Sequence, residues 1–264
     1  MLPANLDAQR HLRSALLASL CLIPVRAYPA VPACWSETPQ MYLARVEDPA
    51  QNLSLLTEPR RFSEVCDAGV VVTNGTFFAP SQPYADVIVS GDVVYSPVGG
   101  GRRFKRDERW VDLGRRWGIG VLKGSRSLAV ADGDQALQTM ETFLGGGGLL
   151  LEGGQDATSK DQPVADSYGP AFPADILERR TSHVALGLKT EAGKQVLLVL
   201  VVKDPPGASI KELAALMKEQ GAEDAVFYDG GGATGFAAGG CCLVEPSNPG
   251  EDRNPTHIVI KACR

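Results

Sequence analysis

A helix with both ends written into the sequence, then a strand, then Asp229-Gly230-Gly231-Gly232, constrains this 264-residue chain more than any other feature. Ser209-Ile210-Lys211-Glu212 has the form of a capping box, in which the serine accepts a first-turn N–H and the glutamate reaches back. Ile210, Leu213, Ala214 and Met217 recur at helical spacing and form one apolar stripe. Gly221 supplies the left-handed stop. Ala225-Val226-Phe227-Tyr228 reads as a buried strand, and Gln195 to Lys203 before the helix reads as another. Strand, helix and strand with short joints predict a parallel crossover. Ligands gather beyond the carboxyl ends of such strands, which is where Asp229 and the glycines stand.

Three successive glycines are poor in any regular element. They permit close approach and offer N–H groups, which suits phosphate or sulfate. No Gly-Lys-Ser/Thr follows them, so they are not a P-loop. Asp229 taken alone has a second reading, a turn carboxylate bonding its own backbone.

A second strand, Val70 to Thr73, leads into Asn74-Gly75-Thr76-Phe77-Phe78. Asn-Gly marks a turn. The bulky Phe pair after it points to a loop packed under a pocket, with Asn74 presenting its amide. Hairpins are predicted for Asp86–Val89 with Val93–Ser96, for Gly118–Lys123 with Ser127–Ala131, and for His183–Leu188 with Gln195–Lys203. Gln135 to Leu144 reads as a helix capped by Asp134 and ended by Gly145. Glu152 ends a short apolar strand, as a turn residue or as a second site carboxylate. Gly153 to Arg179 lacks periodicity, and a loop that long suits a lid on which Tyr168 and Phe172 stack against a sugar. The basic stretch Gly101 to Arg109 reads as a solvated loop or part of a glycan-facing surface.

Composition narrows the classes. Hydrophobic residues at 44% and charged residues at 22% exclude a disordered chain, a collagen and a polytopic membrane protein. A net charge of −5 lacks the electrostatic footprint of a nucleic-acid binder. Arg10, His11 and Arg13 precede an apolar run from Ala15 to Val25, so residues 1–27 are expected to be an export signal, too short for a stable membrane span. Residues 28–64, with Pro29, Pro32 and Pro39, follow as an N-terminal arm, and 65–264 as one domain. In an oxidising compartment the cysteines favour disulfides. The expected pairs are Cys34–Cys66 and Cys263 with Cys241 or Cys242; the alternative is five small buried hydrophobes.

The motifs together resemble the phosphodiester glycosidase family, over about residues 65 to 262. The resemblance is carried by Asn74-Gly75-Thr76-Phe77-Phe78, Ala185-Leu186-Gly187, Lys211-Glu212-Leu213-Ala214 with Gly221-Ala222, Asp229 to Gly232, and Pro246-Ser247-Asn248 through Arg253. Thr76, His183 and Ala233 stand where the family has other residues. The resemblance implies an exported α+β protein, a single domain with a mixed, largely antiparallel sheet flanked by a few helices. It implies hydrolysis of a sugar-phosphate diester; no nucleic-acid partner is expected, and no metal-binding residue and no cofactor are assigned from the sequence.

The chemistry sets its own demands. Phosphate on an anomeric carbon leaves with little protonation help, so the site must bind phosphate, stabilise an oxocarbenium-like centre and supply a carboxylate. Asp229 is the first catalytic candidate and Glu152 the second. Gly230, Gly231 and Gly232 are candidates for holding phosphate, with Arg180 or Arg253 adding a bidentate contact. Asn74, Gly75 and Thr76 complete the binding set, and His183 is a site residue or a satisfied strand histidine. The alternative function is a non-catalytic envelope protein that binds a glycan or assists exopolysaccharide assembly. A nucleotide-binding domain has no support beyond glycine.

Overall fold

The computed structural model describes residues 34–78, 85–95, 103–106, 109–112, 116–158, 178–247 and 253–261. Its central sheet has seven strands in the order β1 (Trp35–Glu37), β2 (Met41–Glu47), β15 (Lys194–Val202), β14 (His183–Glu191), β16 (Asp224–Tyr228), β12 (Leu149–Glu152) and β13 (Gln155–Asp156). Every neighbouring pair is antiparallel. Helix α4 (Ile210–Glu219) carries the chain from β15 to β16. Those two strands both run antiparallel to β14, which lies between them, so they are parallel to each other but not hydrogen-bonded. The expected crossover therefore exists and steps over one strand. The expected mixed sheet becomes three larger sheets and a two-stranded hairpin whose described pairs are all antiparallel, because β14 fills the gap.

The capping box forms as read. Glu212 N–H donates to Ser209 Oγ at 3.2 Å, and Ser209 N–H to Glu212 Oε2 at 2.8 Å. Ile210, Leu213, Ala214 and Met217 are buried against Leu150, Ala185, Leu198, Leu200 and Phe227 on one face of the sheet. Strand side chains alternate between faces. Val184, Leu186, Val199, Val226 and Tyr228 accordingly point the other way, into a core shared with the two remaining sheets.

One of these is β10 (Leu128–Ala131), β9 (Gly118–Leu122), β11 (Met140–Gly145), β5 (Val87–Val89) and β6 (Asp92–Tyr95). The other is β18 (Cys241–Val244), β17 (Phe236–Ala238), β4 (Val71–Asn74), β19 (His257–Ile260) and β3 (Leu53–Leu56). The short helices α1 (Pro49–Asn52), α2 (Phe62–Val65) and α3 (Gly133–Thr139) decorate them. The predicted hairpins form; Ser90 at φ 53° and Gly91 at φ 85° make the tight turn between β5 and β6.

Tyr228 joins two sheets. Its hydroxyl accepts from Ile119 N–H at 3.2 Å and donates to the Leu144 carbonyl at 3.0 Å, and burial pushes the phenol pKa up. Tyr228→Phe should strip both backbone groups of this partner, at a cost of about 1–3 kcal/mol. A lower denaturant midpoint at unchanged slope would register that loss.

Several expectations need correction. The helix expected over 135–144 stops at Thr139, and Met140–Gly145 is β11, hydrogen-bonded to β9 and β5 on its two sides. Two ladders outweigh the local helical spacing. The helix cap is Asp132, which accepts from Gln135 N–H at 2.9 Å, rather than Asp134. Residues 35–64 are not a loose arm: β2 pairs with β15 over seven positions and β3 pairs with β19. The basic stretch is not a loop but lies in a hairpin of β7 (Arg103–Arg106) and β8 (Arg109–Asp112). Cys66, Cys241 and Cys242 are free thiols, so neither Cys34–Cys66 nor a bridge from Cys241 or Cys242 to Cys263 is formed. The export signal, Tyr168 and Phe172 lie outside the described residues.

Candidate active site

The carboxyl ends of β15 and β16 and the start of β14 meet at one end of the central sheet. Asp229 follows β16 directly. Its N–H donates to the Gly75 carbonyl at 3.3 Å, and its Oδ1 accepts from Gly230 N–H at 2.9 Å. Asn74 spans the two loops: Nδ2 donates to the Asp229 carbonyl at 2.8 Å and Oδ1 accepts from Gly235 N–H at 2.9 Å. The two loops singled out in the sequence thus converge. Asn74 does not present its amide to a pocket, though; it spends donor and acceptor on bracing the Asp229 loop.

Gly75 is there for space, since a Cβ would lie 2.4 Å from Thr256 Oγ1 and 2.8 Å from the Leu144 side chain. Thr76 N–H donates to that same Thr256 hydroxyl at 3.1 Å, while the buried Thr76 Oγ1 lacks a hydrogen-bond partner. Gly230 is equally tight, with a Cβ position 2.5 Å from the Ser182 carbonyl and 2.8 Å from His183 Nδ1.

The triple glycine is not an open nest. Gly230 N–H is taken by Asp229, and Gly231 N–H donates to the Ser182 carbonyl at 2.9 Å. Gly231–Ala233 closes as a single 3₁₀ turn. Among the described hydrogen bonds, Gly232 has the one N–H of the three that is left uncommitted. Of the three donors the run offers an anion, local turn closure consumes two.

Gly231 and Gly232 form one wall of a cleft of about 430 Å³ whose other walls include Thr181, Ser182, Thr234, Ser247, Lys203, Asp204 and Glu245. Thr234 donates to Ser182 Oγ at 2.9 Å, and Ser182 in turn to the Gly231 carbonyl at 2.9 Å. Lys203 is paired with Glu37 and lies 4.3 Å from the Tyr42 ring centre. The cleft thus presents hydroxyls, two carboxylates and a cation already neutralised.

The other sequence candidates are placed as follows. His183 is buried behind Gly230, and burial pushes its pKa down to about 4, so it is neutral at pH 7 and adds no positive charge. Arg180 binds Glu212 and the Gly207 carbonyl, fastening the start of α4 rather than lining the cleft. Arg253 is exposed and pairs with Glu64 at 3.3 Å. Glu152 stands at the opposite end of β16 from Asp229, since Leu151 pairs with Ala225 and Gly153 N–H binds Asp224. Five residues of strand put roughly 16 Å between them. Glu152 therefore does not share a site with Asp229; the carboxylates lining the cleft are Asp204 and Glu245, while Asp229 stands one residue behind its Gly231–Gly232 wall.

Sequence reasoning passed over those two, and also Asp86 and Arg116, two buried charged residues. Gly145, Gly146 and Gly147 donate successively to the carbonyls of Asp86, Trp117 and Phe227. Asp86 and Arg116 thereby lie one short loop from β16. Burial lowers the Arg116 pKa to about 10. Charges beside strand ends read as solvated in sequence, so only the packing exposes them.

Comparison with known proteins places this fold in a family. The phosphodiester glycosidase family model matches residues 67–261, so this chain belongs to the phosphodiester glycosidase family. Its structure resembles the catalytic domain of zebrafish N-acetylglucosamine-1-phosphodiester alpha-N-acetylglucosaminidase, solved auto-inhibited by its pro-peptide. The TM-score is 0.57 at 18% identity, over 83% of this chain and 76% of that one. A hypothetical protein from Synechocystis aligns with TM-score 0.52 at 15% identity, over 87% of this chain and 61% of that one. No curated protein sequence matches significantly. No helix among the described residues is long and apolar enough to cross a membrane.

Proposed function

We propose that the protein is an exported hydrolase that cleaves a glycosyl phosphodiester, with Asp229 as the catalytic carboxylate. The observation that carries this reading is the braced loop: Asn74, Gly75 and Gly230 hold Asp229 beside the cleft wall formed by Gly231 and Gly232. The cleft's hydroxyls and carboxylates suit the hydroxyls of a sugar ring better than a phosphate, which two carboxylates would repel. Asp229 takes the proton of a water that attacks the anomeric carbon, and the phosphate departs with the bonding electron pair. Phosphate needs little acid assistance, so one carboxylate suffices. The uncommitted Gly232 N–H is a donor for the phosphate. The non-catalytic glycan-binding reading shares the cleft but leaves Asp229 idle.

A hydrolysis screen over sugar-phosphate diesters tests the proposal. Release of free sugar from at least one diester, with methyl hexosides untouched, is the expected result. Binding of glycans without turnover across the panel would favour the non-catalytic reading.

A further inference from the structure

The strand register sorts the adjacent Cys241 and Cys242 onto opposite faces of their sheet. Cys242 pairs with Ala237, which pairs with Val72; Cys241 pairs with Ala238, which pairs with Val71. Ala237 and Val72 belong to the face covered by Phe62 of α2, and Cys66, directly after that helix, packs into the same cluster as Cys242. Ala238 and Val71 face the opposite core, and Cys241 is exposed. The segments also meet beside the cysteines: a Cβ on Gly240 would lie 3.5 Å from the Ala68 backbone. Burial pushes the pKa of both thiols up, and each thiol lies close enough to perturb the other. Both are free, and Cys66 donates to the Phe62 carbonyl at 3.0 Å.

We propose that Cys66 and Cys242 are an oxidative crosslinking site, closed by thiol–disulfide exchange with a small disulfide oxidant. One thiolate attacks a sulfur of the oxidant and releases its other half as a thiolate; the second thiolate then attacks the protein sulfur of the mixed disulfide and releases the remaining half. Two protons leave, two electrons pass to the oxidant, and it departs as two thiols while one Cys66–Cys242 bond forms. The link fastens β18 to the segment entering β4. Leu243, Val244 and Glu245, which immediately follow Cys242, line the cleft, and β4 ends in Asn74. Closure therefore stiffens a wall of the cleft. The significance of that wall for substrate rests on the proposed function; the crosslink itself does not.

The test uses the full chain in reduced and in oxidised glutathione, followed by alkylation and peptide mapping without reductant. Oxidation should yield a linked Cys66–Cys242 peptide pair, which Cys241→Ser retains and Cys242→Ser abolishes. Amide exchange across Cys241–Val244 should slow about tenfold on oxidation. A Cys66–Cys241 link, glutathione adducts alone, or both thiols alkylated after oxidation would each overturn the proposal. A linked pair with unchanged exchange would overturn the stiffening. All these readouts are independent of turnover, so an inactive protein leaves the test intact.

Discussion

Asp229→Asn is expected to lower kcat by at least about a hundredfold, the usual range for a lost general base, while the melting temperature stays nearly unchanged. The structural reason is that the amide keeps what holds the loop. Its oxygen can still accept from Gly230 N–H, and the backbone bonds to Gly75 and Asn74 do not involve the carboxylate. Asn74→Ala supplies the contrast. It leaves Gly235 N–H and the Asp229 carbonyl without their partner, at about 1–3 kcal/mol, so stability and activity should fall together. Steady-state kinetics on a diester from the screen and thermal melts of both variants separate the two roles. If Asp229→Asn turns over like the parent, Asp229 is only the turn carboxylate that its bond to Gly230 also allows.

The second large effect is on stability in mild acid. His183 and His257 are both buried, and burial holds each pKa at about 4 against an ordinary 6.5; the Arg60 charge adds to the depression at His257. A depressed folded-state pKa on a base means that the unfolded chain takes up protons the folded chain refuses. Stability is therefore whole above about pH 6.5 and drains as the pH falls toward 4. Between pH 7 and 5 each histidine should remove about 2 kcal/mol. Urea titrations at those two pH values should show the loss, and His183→Asn or His257→Asn should each remove about half of the slope. Carboxylates held low, such as Glu191 at about 2 beside Arg45 and Lys189, act at lower pH and leave this window clear. A flat profile from pH 7 to 5 would show that the imidazoles accept protons without cost.

What could be read in the sequence was whatever is decided locally. The α4 cap, its buried stripe, Gly221 and the Ser90-Gly91 turn follow from side-chain chemistry within a few residues, and all are present. What could not be read depends on partners far along the chain. Met140 to Gly145 keeps helical spacing but is drawn into a strand by β9 and β5. Asn74 looked like a substrate amide because its partners, Asp229 and Gly235, lie more than 150 residues away. Arg180 looked like a phosphate ligand until Glu212 claimed it. Register, which a single sequence does not reveal, put Glu152 at the wrong end of β16 and told Cys241 from Cys242.

The pairing of β2 with β15 bears on where this protein can be cut. A fragment beginning at residue 65 would keep the whole family-matched region yet leave β15 bare along the seven positions that β2 covers. That edge is Val196-Leu197-Leu198-Val199-Leu200-Val201-Val202, long, apolar and without a charge, and an exposed edge of this kind recruits strands from other chains. Such a fragment should precipitate or self-associate, whereas one beginning at Cys34 keeps its own covering strand and should remain monodisperse.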